Sequence, residues 1–123
     1  MSAAARGKAL VVEDDGIVAD LLARMLEAIG YADIHHAATV DEALEQIERA
    51  PPAIAILDVN LRGAPAHPVA VRLRGRGIPF VVATGFDPKT LPSTFSGAVI
   101  LRKPFHRSDL ERAIEQVRGQ RQD

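Results

Sequence analysis

Acidic residues stand at two points in the sequence where a short apolar run ends. Glu13, Asp14 and Asp15 follow one such run, and Asp58 follows another. Carboxylates that converge from two points repel one another unless a cation lies between them, and oxygen ligands of this kind suit Mg²⁺. An Asp beside such a metal can act as a nucleophile toward phosphorus and form an aspartyl-phosphate. The acidic residues therefore indicate a magnesium site that supports phosphoryl transfer.

Two side chains at the ends of later apolar runs supply the rest of that chemistry. They are Thr84 and Lys103. Phosphoryl transfer needs alignment and charge neutralisation, and a lysine can neutralise one phosphoryl oxygen while a threonine hydroxyl hydrogen-bonds another. Each residue alone has an ordinary explanation, since Asp15 is a good helix N-cap and an Asp after a strand is a common turn residue. The prediction rests on the joint occurrence of the set at strand ends.

The elements that must position these residues are short apolar strands. Their apolar runs are continuous rather than alternating, which is typical of parallel strands with helices on both faces. The clear strands are 9–12, 53–57, 78–83 and 98–101, and 32–37 is a weaker candidate.

Amphipathic segments between the strands predict the first two helices. Apolar residues at helical spacing indicate a helix over 18–29 that ends at Gly30. The capping-box pair Thr39 and Glu42 opens a second helix, and two prolines after residue 50 stop it.

Prolines and a second capping pattern shape the later helices. A third helix is expected over about 66–75, with Pro68 in its first turn. The stretch 87–96 contains two prolines, so any helix there is short or irregular. The pair Ser108 and Glu111 repeats the capping-box pattern and predicts the start of a final helix.

Alternating strands and helices predict an α/β fold with a doubly wound, five-stranded parallel sheet. Five strands favour the order 2-1-3-4-5, whose ligand crevice opens at the carboxyl ends of strands one and three. The acidic residues, Thr84 and Lys103 all follow strands at that end. The fold prediction therefore brings together the residues that the chemistry singled out.

The composition fits one globular domain that comprises residues 1–123, in which residues of about 7–118 form the folded core. The chain has a mass of 13.2 kDa, with 47% hydrophobic and 25% charged residues, which suits a single core. The sequence has no cysteine, which excludes disulfide scaffolds, zinc fingers and thiol nucleophiles. No apolar stretch reaches the roughly 18 residues that span a bilayer, and the N-terminus lacks a signal-peptide core. We therefore expect a cytoplasmic protein with no membrane partner.

Charge is unevenly distributed, although the net charge is only −1. Residues 1–60 hold 4 basic and 11 acidic residues, and residues 61–123 hold 11 basic and 5 acidic residues. A basic half can indicate nucleic-acid contact, but near-neutral overall charge favours two halves that face each other in one fold. We therefore expect no nucleic-acid partner.

The segments that carry these residues resemble the receiver domain of two-component response regulators, of which the chemotaxis response regulator is an example. The resemblance extends over essentially the whole chain. The matching segments are LVVEDD at 10–15, ILDVNL at 56–61, VATG at 82–85 and LRKPF at 101–105. The resemblance implies a flavodoxin-like receiver fold.

The resemblance also implies roles in phosphoryl transfer. It makes Asp58 the phosphoacceptor, Thr84 the switch hydroxyl and Lys103 the phosphate-binding cation. The peptide bond before Pro104 is usually cis in this family, and a bond before proline is where a cis form is accessible.

A Mg²⁺ site is implied by the same resemblance. Asp58 and Asp14 would be direct ligands, and Glu13 would act through water. The backbone carbonyl of Asn60 would complete the share of the metal shell that the protein provides.

Two positions bear on the subgroup within this family. Receivers usually carry Tyr or Phe three residues before the lysine, and this position is Ile100. The sequence around 76–86 is similar to stand-alone receivers named for a Phe-Ala-Thr-Gly motif, which also lack that aromatic residue. The first Phe of the motif is Val82 here. We expect a stand-alone receiver of this subgroup.

The function that the resemblance implies is that of a response regulator, not of an enzyme. A histidine kinase or phosphotransfer protein would donate the phosphoryl group, and the modified domain would change its affinity for a downstream protein target. Two alternatives are a receiver fragment of a larger hybrid kinase or regulator, and a haloacid-dehalogenase-like phosphatase. The phosphatase is disfavoured because it expects Asp-x-Asp after the first strand and paired acids last, whereas the paired acids come first here. Whether the domain forms a homodimer is left open.

Overall fold

Five short segments form the parallel strands of one sheet in the computed structural model, which describes residues 6–120. The strands are β1 (Lys8–Val12), β2 (Asp33–Ala37), β3 (Ile54–Leu57), β4 (Phe80–Thr84) and β5 (Val99–Arg102). They lie in the order β2-β1-β3-β4-β5, so the predicted order 2-1-3-4-5 is confirmed. Residues 1–5 and 121–123 of the predicted domain lie outside the described residues.

Helices connect the strands on both faces of the sheet. Within the described part of the chain they are α1 (Gly16–Ile29), α2 (Val40–Arg49), α3 (His67–Gly75) and α4 (Arg107–Gln120). No helix in that part is both long and apolar enough to cross a bilayer.

Alternation along the strands divides the core into two layers. Ala9 and Val11 of β1 pack in one layer with α1 and α4, and Leu10 and Val12 pack in the other with α2 and α3. Successive side chains of a strand point to opposite faces, so a continuous apolar run buries both. The doubly wound arrangement follows from this pattern.

The predicted ends of the first two helices are confirmed. The Asp15 side chain caps α1 by accepting the N–H groups of Ile17 and Val18, and α1 ends at Gly30 with φ 126°. The Thr39 side chain accepts the Glu42 N–H at 3.1 Å at the start of α2.

The start of α4 differs from the prediction. The helix begins at Arg107, so Ser108 lies inside its first turn instead of before it. Asp109 provides the capping contact, because its Oδ2 accepts the N–H of His106 at 2.9 Å. This hydrogen bond lowers the pKa of Asp109. The carboxylate therefore performs the role that the pattern had given to the Ser108–Glu111 pair.

The proline-containing segment after β4 is irregular, as predicted. It forms two short 3₁₀ turns, Pro88–Thr90 and Ser93–Phe95. The Arg74 guanidinium of α3 donates to the carbonyl oxygens of Thr94 and Ser96. Side-chain hydrogen bonds to backbone carbonyls thus secure a segment that has no regular helix of its own.

Ion pairs link the acidic first half of the chain to its basic second half. Glu48 of α2 pairs with Arg72 and Arg76 at the end of α3. Glu13 pairs with Lys103 across the sheet. These contacts support the expectation that the two halves face each other in one fold.

Candidate functional site

The acidic residues singled out in the sequence lie at the carboxyl edge of the two central strands. β1 and β3 pair in parallel with Val12 beside Leu57, so Glu13 and Asp58 follow at the same level. One carboxylate oxygen from each of Glu13, Asp14 and Asp58 lies within 4.8 Å of the other two. We call these three groups the carboxylate cluster.

Lys103 reaches the carboxylate cluster from the end of β5. Its backbone N–H donates to the Thr84 carbonyl at 2.8 Å, which fixes the chain at the edge of the sheet. Its Nζ donates to Glu13 Oε1 at 2.9 Å and lies 3.7 Å from Asp58 Oδ2. The bond between Lys103 and Pro104 is cis, as expected. One ammonium group therefore faces two of the three carboxylates and balances only part of their charge.

Burial changes the pKa values of Asp58 and Lys103. Burial raises the pKa of Asp58 to about 6; the charge of Lys103 opposes this rise, and the charge of Glu13 adds to it. Burial disfavours the charge of Lys103, but the hydrogen bond to Glu13 and the charge of Asp58 outweigh it, so the pKa of Lys103 is raised. At neutral pH Asp58 is mainly an anion and Lys103 a cation. A nucleophilic carboxylate and a phosphate-binding cation require these states.

Thr84 ends β4 at the same edge of the sheet. The residue is fully buried, and its Oγ1 accepts the N–H of Phe86 at 3.0 Å. Phe86 itself exposes 54% of its surface in the loop after β4. The hydroxyl thus links the edge of the sheet to an exposed aromatic residue, and its role toward a phosphoryl group stays a prediction.

A short hairpin follows Asp58, and the sequence analysis did not predict it. Asn60–Leu61 pairs antiparallel with Ala64–Pro65 around the turn formed by Arg62 and Gly63. Strands of two residues leave no periodicity, and the one available signal was a glycine between them. The side-chain oxygen of Asn60 accepts the Gly63 N–H at 3.0 Å. The role of the Asn60 backbone carbonyl as a metal ligand stays a prediction.

Two residues that the sequence analysis did not assign to the site hold the loop after β1. The Arg62 N–H donates to Asp14 Oδ2 at 2.9 Å. The His36 Nε2 of β2 lies 2.6 Å from the carbonyl oxygen of Glu13, to which its N–H donates. Contacts between residues so distant in sequence leave no local pattern, and His36 resembles an ordinary strand histidine.

The oxygen donors of the carboxylate cluster fit a hard divalent cation. Carboxylate oxygens are the ligands that Mg²⁺ prefers, and three of them converge here. Glu13 is 2% exposed and is paired with Lys103. Asp14 has no ion-pair partner among residues 6–120, because Lys103 pairs with Glu13 and Asp58 only. A cation bound at Asp14 and Asp58 would offset the excess negative charge.

Ile100 occupies the position where receivers usually carry an aromatic residue. The side chain is half-buried and lines a cavity of about 250 Å³ together with Pro88, Leu91 and Phe95. An aliphatic side chain therefore packs against the irregular segment after β4. Membership of the Phe-Ala-Thr-Gly subgroup stays a prediction.

The sequence comparisons match the chain to a protein family. The family model described as the response regulator receiver domain matches residues 9–115. The transcriptional regulatory protein PdtaR of Mycobacterium tuberculosis is 33% identical over 117 residues. That alignment covers 92% of this chain and 57% of the relative, so the chain spans little more than half the length of that protein.

Structure comparisons give the same fold. SdrG from Sphingomonas melonis Fr1 has a TM-score of 0.82 and 37% identity, covering 95% of this chain and 98% of that chain. A putative response regulator from Chloroflexus aurantiacus has a TM-score of 0.79 and 30% identity, covering 90% and 96%. A CheY-like receiver domain from Methylobacillus flagellatus, 22% identical with a TM-score of 0.77 and covering 89% and 97%, bears on the fold alone. The predicted receiver fold is confirmed.

Proposed function

Because the chain belongs to the response regulator receiver domain family, we propose that Asp58 accepts a phosphoryl group in a Mg²⁺-dependent reaction of two-component signalling. The proposal is carried by the position of Asp58. One of its oxygens is within 4.8 Å of oxygens of Glu13 and Asp14, and Oδ2 is 3.7 Å from Lys103 Nζ. A nucleophile, candidate metal ligands and a phosphate-binding cation thus share one edge of the sheet.

The donor in this proposal is a phosphohistidine of a histidine kinase or phosphotransfer protein. An Asp58 carboxylate oxygen attacks phosphorus, a P–O bond forms and the P–N bond of the donor breaks. The leaving imidazole nitrogen keeps the electron pair and takes up a proton. Lys103 neutralises one phosphoryl oxygen, and the Thr84 hydroxyl donates its proton to another. The oxygen of that hydroxyl accepts from Phe86, so its proton is the group left to donate.

We assign the metal site to Asp14, Asp58, the backbone carbonyl of Asn60 and, through water, Glu13. A bound Mg²⁺ supplies positive charge that offsets the repulsion between the carboxylates and the incoming phosphoryl oxygens. The outer position of Glu13 is supported by its contacts, because Oε1 accepts from Lys103 and Oε2 accepts from the Asp15 N–H at 3.2 Å.

The output of the domain in this proposal is a change in affinity for a protein target. No substrate is turned over, and no nucleic acid or membrane is bound. A cytoplasmic location fits the cysteine-free composition, because cytoplasmic proteins do not depend on disulfides. We also propose that residues 1–123 form one receiver domain.

Intact-mass measurement after incubation with acetyl phosphate tests the proposal. The wild type and Asp41→Asn, which alters an exposed acid in the first turn of α2, should each gain one phosphoryl group with Mg²⁺. Asp58→Asn should gain none, and EDTA should abolish labelling of the wild type. Labelling of Asp58→Asn to the wild-type extent would overturn the assignment.

A further inference from the structure

The hairpin after Asp58 (residues 60–65) reaches the carboxylate cluster with its tip. The Arg62 N–H at that tip donates to Asp14 Oδ2 at 2.9 Å. Among residues 6–120 this N–H is the one hydrogen-bond donor to the Asp14 carboxylate, which also has no ion-pair partner there. The loop after β3 therefore contacts the loop after β1 directly at Asp14.

The tip has a backbone conformation that few residues adopt. Arg62 has φ 54° and Gly63 has φ 83°, and Arg62 is the only non-glycine residue with positive φ in the described part of the chain. Two successive positive φ angles match the tight turn of hairpins that have a two-residue loop, where glycine and asparagine are favoured. An arginine in this conformation is held there by its surroundings.

Contacts at both ends hold the hairpin in place. Leu61 is 2% exposed and packs in the core layer of α2 and α3. At the base, the Ala66 N–H donates to the Val59 carbonyl at 2.9 Å. At the tip, the Gly63 N–H donates to Asn60 Oδ1. These contacts fix the direction in which the Arg62 N–H points.

We propose that the hairpin is a positioning element for cation binding, which orients Asp14 through the Arg62 backbone N–H and the left-handed turn. The inference rests on the proposed function, because it assumes that Asp14 is a direct Mg²⁺ ligand. Groups that hydrogen-bond a metal ligand fix its orientation, and loss of such a group weakens metal affinity roughly tenfold or more. The arginine side chain has no part in this role.

Substitutions at Gly63 separate the turn conformation from side-chain bulk. A Cβ at Gly63 meets nothing within 4 Å, so an added side chain has space and only the positive φ opposes it. Gly63→Val strongly disfavours that φ, whereas Gly63→Asn tolerates it. We expect Gly63→Val to weaken Mg²⁺ binding roughly tenfold, and Gly63→Asn and Arg62→Asn to bind close to wild type.

Calorimetric titration of the full chain with Mg²⁺ measures the dissociation constants, and urea denaturation in EDTA checks that each variant folds. Equal Mg²⁺ affinity of Gly63→Val and wild type would overturn the positioning role. A loss in Arg62→Asn as large as in Gly63→Val would overturn the assignment to the backbone. A wild type that binds no Mg²⁺ would instead refute the proposed function of the site.

Amide exchange in metal-free protein provides a readout that does not depend on Mg²⁺ or phosphorylation. Asp14→Ala removes the acceptor of the Arg62 N–H. We expect exchange at Arg62 to accelerate, whereas the Ala66 amide at the base of the hairpin keeps its protection. Unchanged exchange at Arg62 would contradict the contact on which the proposal depends.

Discussion

The chemistry of single residues in this site depends on how three carboxylates share one lysine. Glu13 is buried and holds Lys103 Nζ at 2.9 Å, whereas Asp58 lies 3.7 Å from the same nitrogen. Asp14 has only a backbone N–H as partner among residues 6–120. The site therefore keeps uncompensated negative charge, which destabilises the metal-free fold and favours cation binding.

The raised pKa of Asp58 predicts how stability depends on pH. Its pKa is about 6 in the fold, against an ordinary value of 3.8, so folding favours the protonated form. The contribution of Asp58 to the free energy of unfolding should therefore be largest below about pH 4. The wild type should lose this contribution as the pH rises through about 6. Asp58→Asn has no such group and should be more stable than wild type at neutral pH in EDTA, by up to about 3 kcal/mol.

Urea denaturation followed by far-UV circular dichroism measures this difference, with Asp41→Asn as the exposed control. The advantage of Asp58→Asn should shrink as the pH is lowered through about 6. An Asp58→Asn variant that is less stable than wild type at neutral pH would contradict the prediction that the fold disfavours the ionised Asp58 carboxylate.

Metal affinity should distinguish Asp14 from Glu13. In the proposed metal site, Asp14→Ala removes a direct ligand, whereas Glu13→Ala removes a group that acts through water. The Glu13 oxygens already accept from Lys103 and Asp15. We expect the larger loss of Mg²⁺ affinity in Asp14→Ala. Calorimetry on both variants checks this order, and a larger loss in Glu13→Ala would reverse the two roles.

At the scale of elements, strand ends position the site, and the sequence predicts them well. Continuous apolar runs predicted four of the five strands, because a strand buried on both faces must be apolar throughout. The edge strand β2 is largely exposed and mixed in composition, so it left only a weaker signal in the sequence. The helix N-caps Asp15 and Thr39 could also be predicted from the sequence, because they depend on local hydrogen bonds. Placing the acids, Thr84 and Lys103 after these strands was enough to predict that they lie at one edge.

Other elements could not be predicted because their contacts are not local. The 60–65 hairpin has strands of two residues, and its contact with Asp14 spans 48 positions. The predicted start of α4 was wrong because Ser108 and Asp109 are both plausible capping residues in sequence. Only the structure shows which of them contacts His106. Short-range patterns do not decide between such alternatives.

The segment after β4 should respond to phosphorylation. When Thr84 moves its hydroxyl toward a phosphoryl group, Phe86, whose N–H donates to that hydroxyl oxygen at 3.0 Å, moves with it. Amide exchange across 84–96 should therefore change more than elsewhere when the phosphate mimic beryllofluoride is added. Thr84→Ala should reduce this change while Asp58 is still phosphorylated.

Hydrogen exchange followed by mass spectrometry measures the response, with Ser93→Ala as a control in the same segment. Ser93→Ala should respond like the wild type. Exchange that changes only around Asp58, with no effect at 84–96, would refute this route of signal transmission.

At the scale of the whole molecule, ion pairs within the fold neutralise part of the uneven charge. Lys103, Arg72 and Arg76 of the basic half pair with acids of the first half. Fewer basic groups are therefore available to contact phosphates of nucleic acid than the sequence of the second half suggests.

DNA binding should accordingly be absent. A gel-shift experiment at low salt is a demanding test, because electrostatic binding is strongest there. We expect no retarded band with duplex DNA at micromolar protein. A sequence-selective complex under these conditions would contradict the assignment of the output to protein contact.

Identification of the phosphorylated residue tests the central claim most directly. Borohydride reduces an aspartyl-phosphate to homoserine, so peptide mapping after phosphorylation and reduction reports the position of the acyl phosphate. The account predicts homoserine at position 58 in protein treated with a phosphodonor and Mg²⁺, and none in protein treated in EDTA. Homoserine at position 14, at position 15 or at any exposed acid in place of position 58 would contradict it.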